Sequence, residues 1–423
     1  MKTSGLSRSG LFACCVAIAA CSQATELSHF QYAPNVSGAY ARSESPAYSV
    51  LHNFGEGSDD GSYPYAGLID VGDTLYGTTS AGGAYNDYGT IFSITTGGKE
   101  HVVYSFGSYS TDGIDPYAGL INVSDTFYGT TYRGGAFGRG SLPYRYGTVF
   151  SVTPSDADEK VLHSFGKGKD GMNPAAGLID VSGTLYGTTF KGGAYGGGTA
   201  FRITANGTGE KVLHSFGEGS DDGSNPAAGL IDVNGMLYGT TAAGGTHGDG
   251  TVFSITTGGT EKVLHNFGGG AKDGTAPQAA LVDVNGTIYG TTAGGGAYGG
   301  SSGYGTVFSI TTGGKEKVLH SFGNGKDGRH PYAGLIDVNG ALYGTTGYGG
   351  AYGGSLGQGT IFGITTGGTE SVLHSFGNGT DGSFPDAGLV FLKATGLLYG
   401  TTSAGGTSTS CAGGCGTVFS ITP

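Results

Sequence analysis

Leu75-Tyr76-Gly77-Thr78-Thr79 is the stretch that decides the fold, because near copies of it return six more times along the chain. The copies centre on Tyr76, Tyr128, Tyr186, Tyr238, Tyr289, Tyr343 and Tyr399, at spacings of 52, 58, 52, 51, 54 and 56 residues. A period of that size marks an array of supersecondary units, each burying its apolar face against the next. The fullest unit contains Leu230-Ile231-Asp232-Val233, Leu237-Tyr238-Gly239-Thr240-Thr241, Thr251-Val252-Phe253-Ser254-Ile255-Thr256 and Glu261-Lys262-Val263-Leu264-His265-Asn266-Phe267. These are four short runs rich in Val, Ile, Thr, Tyr and Phe, with Gly, Asn and Asp between them, which is the pattern of strands. They are named A to D here.

Between A and B stand Asn234-Gly235, Asn285-Gly286 and Asn339-Gly340. Such pairs accept the positive φ angles of a type I′ turn, so A and B form an antiparallel hairpin. Seven four-stranded units without a helical period predict an all-β fold, a seven-bladed β-propeller over residues 49–423. The run Ser49-Val50-Leu51-His52-Asn53-Phe54 reads as a D strand with no A to C before it, and Gly416–Thr422 reads as a C strand with no D after it. The N-terminal strand is therefore expected to complete the last blade and close the ring, leaving no long unpaired edge.

Residues 1–20 carry Lys2 and Arg8 and then an apolar run from Leu11 to Ala20, too short to span a bilayer and suited to a secretory signal. Ile18-Ala19-Ala20-Cys21 resembles a bacterial lipoprotein box, with Cys21 as the lipid anchor; ordinary cleavage after Ala24 is the competing reading. Residues 21–48 are polar and without period, a flexible tether. The expected location is thus outside the cytoplasm: outer membrane or cell surface through the lipid, or secreted or periplasmic.

Without residues 1–20 the chain has 18 Lys plus Arg against 32 Asp plus Glu, a net charge of −14. That balance disfavours nucleic acid as a partner and suits cations or neutral glycans. Cys411 and Cys415 are the cysteines left in the folded part, and in an oxidising exterior they are expected to form a disulfide in the last B–C loop.

A histidine follows the D-strand leucine at His52, His163, His214, His265, His320 and His374, with Tyr104 in the second copy. One per blade on an outermost strand, they are read as packing residues hydrogen-bonded between blades. The D–A connections repeat Asp-Gly at Asp60, Asp112, Asp170, Asp222, Asp273, Asp327 and Asp381, with a proline four residues after each aspartate. The plain account is a turn whose Asp caps its own backbone. The sharper one is a weak Ca²⁺ site, although Ca²⁺ takes about six to eight oxygen ligands that no single loop supplies. No other cofactor is expected.

In such a blade the B–C and D–A connections share one face, and here they are the long, variable ones. Tyr144, Arg145, Tyr146, Tyr195, Tyr298 and Tyr352 are the expected ligand contacts on that face. The units resemble the GloVer tandem repeat of exported bacterial proteins, which carries the same Leu-Tyr-Gly-Thr-Thr, Gly-Gly (Gly244-Gly245), Gly-Thr-Val-Phe (Gly250–Phe253) and Leu-His-x-Phe (Leu264–Phe267) elements. The resemblance covers about residues 49–423 and implies an exported or anchored propeller without an established activity. It brings no catalytic residue. A more distant likeness to quinoprotein dehydrogenase blades is weakened by the absence of Trp.

No H-E-x-x-H zinc motif and no phosphate-binding loop occurs, and His29, His101, His247 and His330 are scattered. The expected function is that of a monomeric, non-enzymatic binding or adhesion module for glycan or protein. A polysaccharide lyase or hydrolase, or a structural envelope component, are the alternatives.

Overall fold

The computed structural model describes residues 47–423 apart from Arg139 and Ser301. The signal segment, Cys21 and the tether up to residue 46 lie outside the described residues. What is described is a seven-bladed β-propeller of four-stranded antiparallel sheets. Blade 1 is Ile69–Val71, Thr74–Thr79, Thr90–Thr95 and Glu100–Ser105 in the order A-B-C-D, and the next five blades repeat that order. Among the described residues the helical content is one 3-10 turn, Leu142–Tyr144, and no helix is long and apolar enough to cross a membrane.

The seventh blade is composite. Val390–Leu392, Leu397–Thr402 and Thr417–Ile421 supply A, B and C, and the N-terminal strand Tyr48–Asn53 supplies D, with Tyr48 opposite Ile421 and Asn53 opposite Thr417. The ring closes as the two chain ends predict, the closing strand beginning one residue earlier, at Tyr48.

The repeated pentapeptide assigns one task to each position. Leu75 is fully buried. Gly77 leaves space for its neighbours: a Cβ there would lie 2.7 Å from Phe92 Cζ and 2.8 Å from Leu68 Cδ2, closer than real contacts allow. Thr78 Oγ1 donates to Ala118 O of the next blade at 3.0 Å. Thr79 Oγ1 bonds Thr90 Oγ1 of strand C at 2.8 Å and the Ala81 carbonyl at 2.9 Å. Both threonine contacts recur around the ring, from Thr130 with Ala176 and Thr131 with Thr148 to Thr401 with Ala66 and Thr402 with Thr417. One hydroxyl ties blade to blade and the next ties strand to strand.

The core lies between blades. Leu68, Leu75, Phe92 and Ile94 of blade 1 pack with Val390, Leu392, Tyr399 and Val418 of blade 7, and comparable clusters fill the other boundaries. A phenylalanine that follows each D strand meets the C-strand phenylalanine of the next blade, as Phe54 meets Phe92 at 5.0 Å and Phe216 meets Phe253 at 4.9 Å. Such tilted and edge-on pairs add to the area they bury.

Each C–D pairing carries a β-bulge at the same place, Val50/His52 in blade 7 and Val252/Phe253 in blade 4 among them. Bulges re-aim the side chain that follows. That residue here is the repeated histidine.

Candidate functional site

The B–C and D–A connections do share a face, and they pair: Gly61-Ser62 forms a two-stranded ribbon with Ala81-Gly82, and five more blades repeat it. In the seventh, Ser383 bridges Ala404. The face is therefore a braced scaffold, which suits it to present side chains.

What it presents at its outer edge is a column of aromatic residues. The second residue after each Gly-Gly is Tyr85, Phe137, Tyr195, Tyr298 or Tyr352, replaced by His247 and Ser408 in blades 4 and 7. All five aromatics are exposed, by 38–52 %. The residue before them is pinned to the end of the outermost strand, as by Ala84 N to Ser105 Oγ at 3.2 Å and Ala136 N to Ser164 Oγ at 3.1 Å. The sequence reading named Tyr195, Tyr298 and Tyr352 and missed Tyr85 and Phe137, which only alignment of the seven units picks out. Of the remaining named contacts, Tyr144 is the most exposed tyrosine among the described residues, at 63 %. Tyr146 packs against the Phe165 cluster. Arg145 braces its own loop and ties it to the adjoining D–A connection, its guanidinium donating to the carbonyls of Gly135 and Gly140 and to that of Ser110.

Nearer the axis, where each D–A connection reaches the innermost strand, a second aromatic group lines part of the mouth, with Tyr65, Tyr117 and Tyr332 after their prolines. Tyr65 and Tyr117 are 5.6 Å apart, Tyr117 and Tyr132 5.5 Å, and His330 stacks on Tyr332 at 6.1 Å. Asp386 stands at the position that Tyr65 and Tyr117 hold in their blades. It is buried, accepts from Ser403 Oγ at 3.0 Å, and burial pushes its carboxyl up to about 7. Asp115 is held by Arg133 Nη1 at 3.0 Å. The residue before the proline of each D–A connection is left-handed, Tyr63, Asp115, Asn173, Asn225, Ala276, His330 and Phe384 at φ 52–57°. These residues knit neighbouring blades, as His330 N donates to Tyr304 O and Gly347 N donates to His330 O.

The repeated aspartates do not form one ring around an ion. Each caps its own loop and meets the histidine before it: Asp222 Oδ2 accepts from Gly217 N at 2.8 Å and Glu218 N at 3.0 Å, and lies 3.2 Å from His214 Nε2. His163–Asp170, His320–Asp327 and His374–Asp381 repeat the pair at 2.9, 3.1 and 2.9 Å. In the Tyr104 copy the phenol takes the place of imidazole, donating to Asp112 Oδ2 at 2.8 Å.

A third member was not foreseen. The glutamate that opens the D strand of the next blade, Glu100, Glu210, Glu261 or Glu316, completes a His-Asp-Glu cluster at the blade boundary, its ligand atoms within 4.8 Å of the other two. Burial pushes Glu100, Glu261 and Glu316 up to about 7. The column of glutamates is visible in the sequence, but its partner is on the preceding unit. At the closing boundary Tyr48 holds the glutamate position and stacks on His374 at 4.0 Å.

Cys411 and Cys415 form a disulfide in the last B–C loop.

Fold and face define a β-propeller repeat protein. The chain belongs to the Gloeobacter/Verrucomicrobia repeat family, whose repeat matches residues 31–144, 139–350 and 297–423. No curated protein matches the chain. Among solved structures it is similar to the GH74 xyloglucanase of Xanthomonas campestris, at 12 % identity and TM-score 0.53 over 85 % of this chain and 52 % of that one. An oligogalacturonate lyase in complex with manganese matches at 10 % identity and TM-score 0.49 over 90 % and 96 %. An oligogalacturonate lyase of Vibrio parahaemolyticus matches at 7 % and 0.46 over 90 % and 97 %. At these identities the likeness is one of fold.

Proposed function

We propose that this protein is an exported binding propeller for polymeric glycan, held at the cell envelope through a lipid on Cys21, with the long-loop face turned to the ligand. The observation that carries the reading is the aromatic column Tyr85, Phe137, Tyr195, Tyr298 and Tyr352, exposed at one repeated position on one face. Exposed rings on a rigid scaffold offer flat apolar area at small entropic cost, and the C–H face of a sugar ring stacks on such a surface. Five equivalent rings suit a polymer, since weak contacts to one chain combine by effective concentration. The acidic surface also favours a neutral ligand over a polyanion.

The test is retention on insoluble polysaccharides and a glycan array, for the wild type and a variant with all five rings replaced by Ala. Saturable binding to one sugar class, lost in the five-fold variant while circular dichroism is unchanged, is the expected result. Binding to no glycan, or equal binding by the variant, refutes it.

A hydrolase or lyase reading draws on the mouth, where Asp386 keeps a carboxyl poised near neutrality beside Tyr65, whose phenol burial and then the Asp386 charge hold above its usual range. Release of reducing or unsaturated ends from any bound polymer, abolished by Asp386→Asn, distinguishes it.

A further inference from the structure

Four blade boundaries bring one histidine and two carboxylates together: His52, Asp60 and Glu100; His163, Asp170 and Glu210; His214, Asp222 and Glu261; His265, Asp273 and Glu316. They are of two kinds. His163 and His214 are hydrogen-bonded to their aspartates at 2.9 and 3.2 Å. His52 and His265 stand 3.6 Å from Asp60 and Asp273, and neither Nε2 has a hydrogen-bond partner. Glu100 Oε1 and Glu316 Oε1 are also buried without a partner, but so are Glu159, Glu210, Glu261 and Glu370 Oε1, so it is the unpartnered histidine that sets these two boundaries apart. Asp60 Oδ1 is likewise without a partner, on a side chain only 9 % exposed.

An orphaned buried polar atom costs about 1–3 kcal/mol, and an unplaced ion is one physical reason for several at one spot. With the ring proton on Nδ1, each orphan is a lone pair. Three such lone pairs converge at the first site, two of them on carboxylates, and two at the second, on His265 and Glu316 beside the Asp273 carboxylate, whose oxygens accept from Gly269 N and Gly274 N; lone pairs so gathered call for a cation. We propose that His52–Asp60–Glu100 and His265–Asp273–Glu316 are binding sites for a divalent transition-metal ion of the Zn²⁺ class, the first fastening the N-terminal closing strand to blade 1.

The donor set chooses the ion. Ca²⁺ takes about six to eight oxygens and does not select an imidazole. Zn²⁺ takes His nitrogen and carboxylate oxygen at about 2.0–2.2 Å, often with three protein ligands and a water as the fourth. Two ligands on one tetrahedral ion at those lengths are about 3.3–3.6 Å apart. The His52–Asp60 and His265–Asp273 separations of 3.6 Å match that edge, whereas 2.9 Å is a direct hydrogen bond. The ring also carries its own controls. Tyr104 replaces the histidine opposite Glu159, and Tyr48 replaces the glutamate opposite His374, so those boundaries lack the three donors.

The untagged chain, stripped with EDTA and dialysed, is titrated with Zn²⁺ by calorimetry, and the retained metal is measured after gel filtration. The expected result is about two tightly held ions per chain and a raised Tm. Glu100→Gln and Glu316→Gln each remove about one ion, the double variant removes both, and Glu159→Gln removes none. Retention of less than about one ion per chain, or a double variant that binds as the wild type does, overturns the proposal. Where a Gln variant fails to fold, Co²⁺ added to the wild-type chain decides: visible d–d absorption displaced by Zn²⁺ supports the sites, and its absence refutes them. Ca²⁺ binding in the same ratio overturns the choice of ion.

Discussion

The N-terminal strand should be the latch of the ring, and Tyr48 is the residue that fastens it. Its ring lies parallel to His374 at 4.0 Å, meets Phe376 edge-on at 5.8 Å and Phe419 at 5.6 Å, and its hydroxyl donates to the Asp381 carbonyl. Removing a fully buried aromatic side chain costs about 3–5 kcal/mol. Tyr48 keeps some exposure, so about 2–4 kcal/mol is expected for Tyr48→Ala. Tyr48→Phe removes only the hydrogen bond and should cost about 1 kcal/mol. Urea unfolding followed by far-UV circular dichroism reads both. Because repeat arrays lose cooperativity when an interface is weakened, the Ala variant should also show a broader transition, and limited proteolysis should cut first near residue 53. A Tyr48→Ala protein within about 0.5 kcal/mol of wild type, with an equally sharp transition, would refute the latch.

Thr78→Val keeps the shape but leaves the buried Ala118 carbonyl without its donor, so a loss of about 1–2 kcal/mol in urea is expected; a neutral variant would show that the interblade hydroxyls are dispensable. Ala276 holds φ 52° where two other blades have Asn173 and Asn225, and Ala276→Asn should raise stability by about 1 kcal/mol, read as a higher urea midpoint. Asp386, at about 7 against an ordinary 3.8, keeps its proton in the folded chain after the unfolded chain has lost its own. Its contribution therefore falls as pH rises from about 4 to 7 and is constant above, so Asp386→Asn should flatten the urea-midpoint profile across that window and stabilise at pH 8; an unchanged profile contradicts the buried assignment.

The blades were legible because each element of the repeat has a local cause. Asn234-Gly235 adopts φ 55° and 83°, as its type I′ turn requires, and the run from Leu237 to Thr241 is buried throughout, as a strand sandwiched between neighbouring blades must be. Ring closure was legible from the D strand at one end and the C strand at the other. The site was harder. Arg145 and Tyr146 looked like ligand contacts because they stand in the longest loop, yet a long loop must satisfy its own carbonyls, and Arg145 donates to those of Gly135 and Gly140. The His-Asp pairs were close in sequence, but reading histidines and aspartates as two separate rings hid them. Glu100 was hidden for a different reason: it faces His52 only once blade 1 is laid against blade 7, a contact that no spacing within one unit encodes.

Repetition itself separates packing from function in this molecule. A residue present in all seven units answers a demand that every boundary makes, as the paired threonines do, and needs no ligand to explain it. Departures from the column carry the other kind of information. Tyr48 departs where the ring must be joined from two chain ends, and a stacked phenol replaces a charged partner there. Tyr104 departs beside Tyr109, which reaches the same Glu159 with a 2.6 Å hydrogen bond; the phenols satisfy the carboxylate that an imidazole faces elsewhere. Asp386 departs at the mouth with no packing reason in view, since Ala175 and Ala227 fill the same position with less polar cost. By that logic Asp386, like Gln278 after its own proline, is an inner residue that the repeat alone does not dictate.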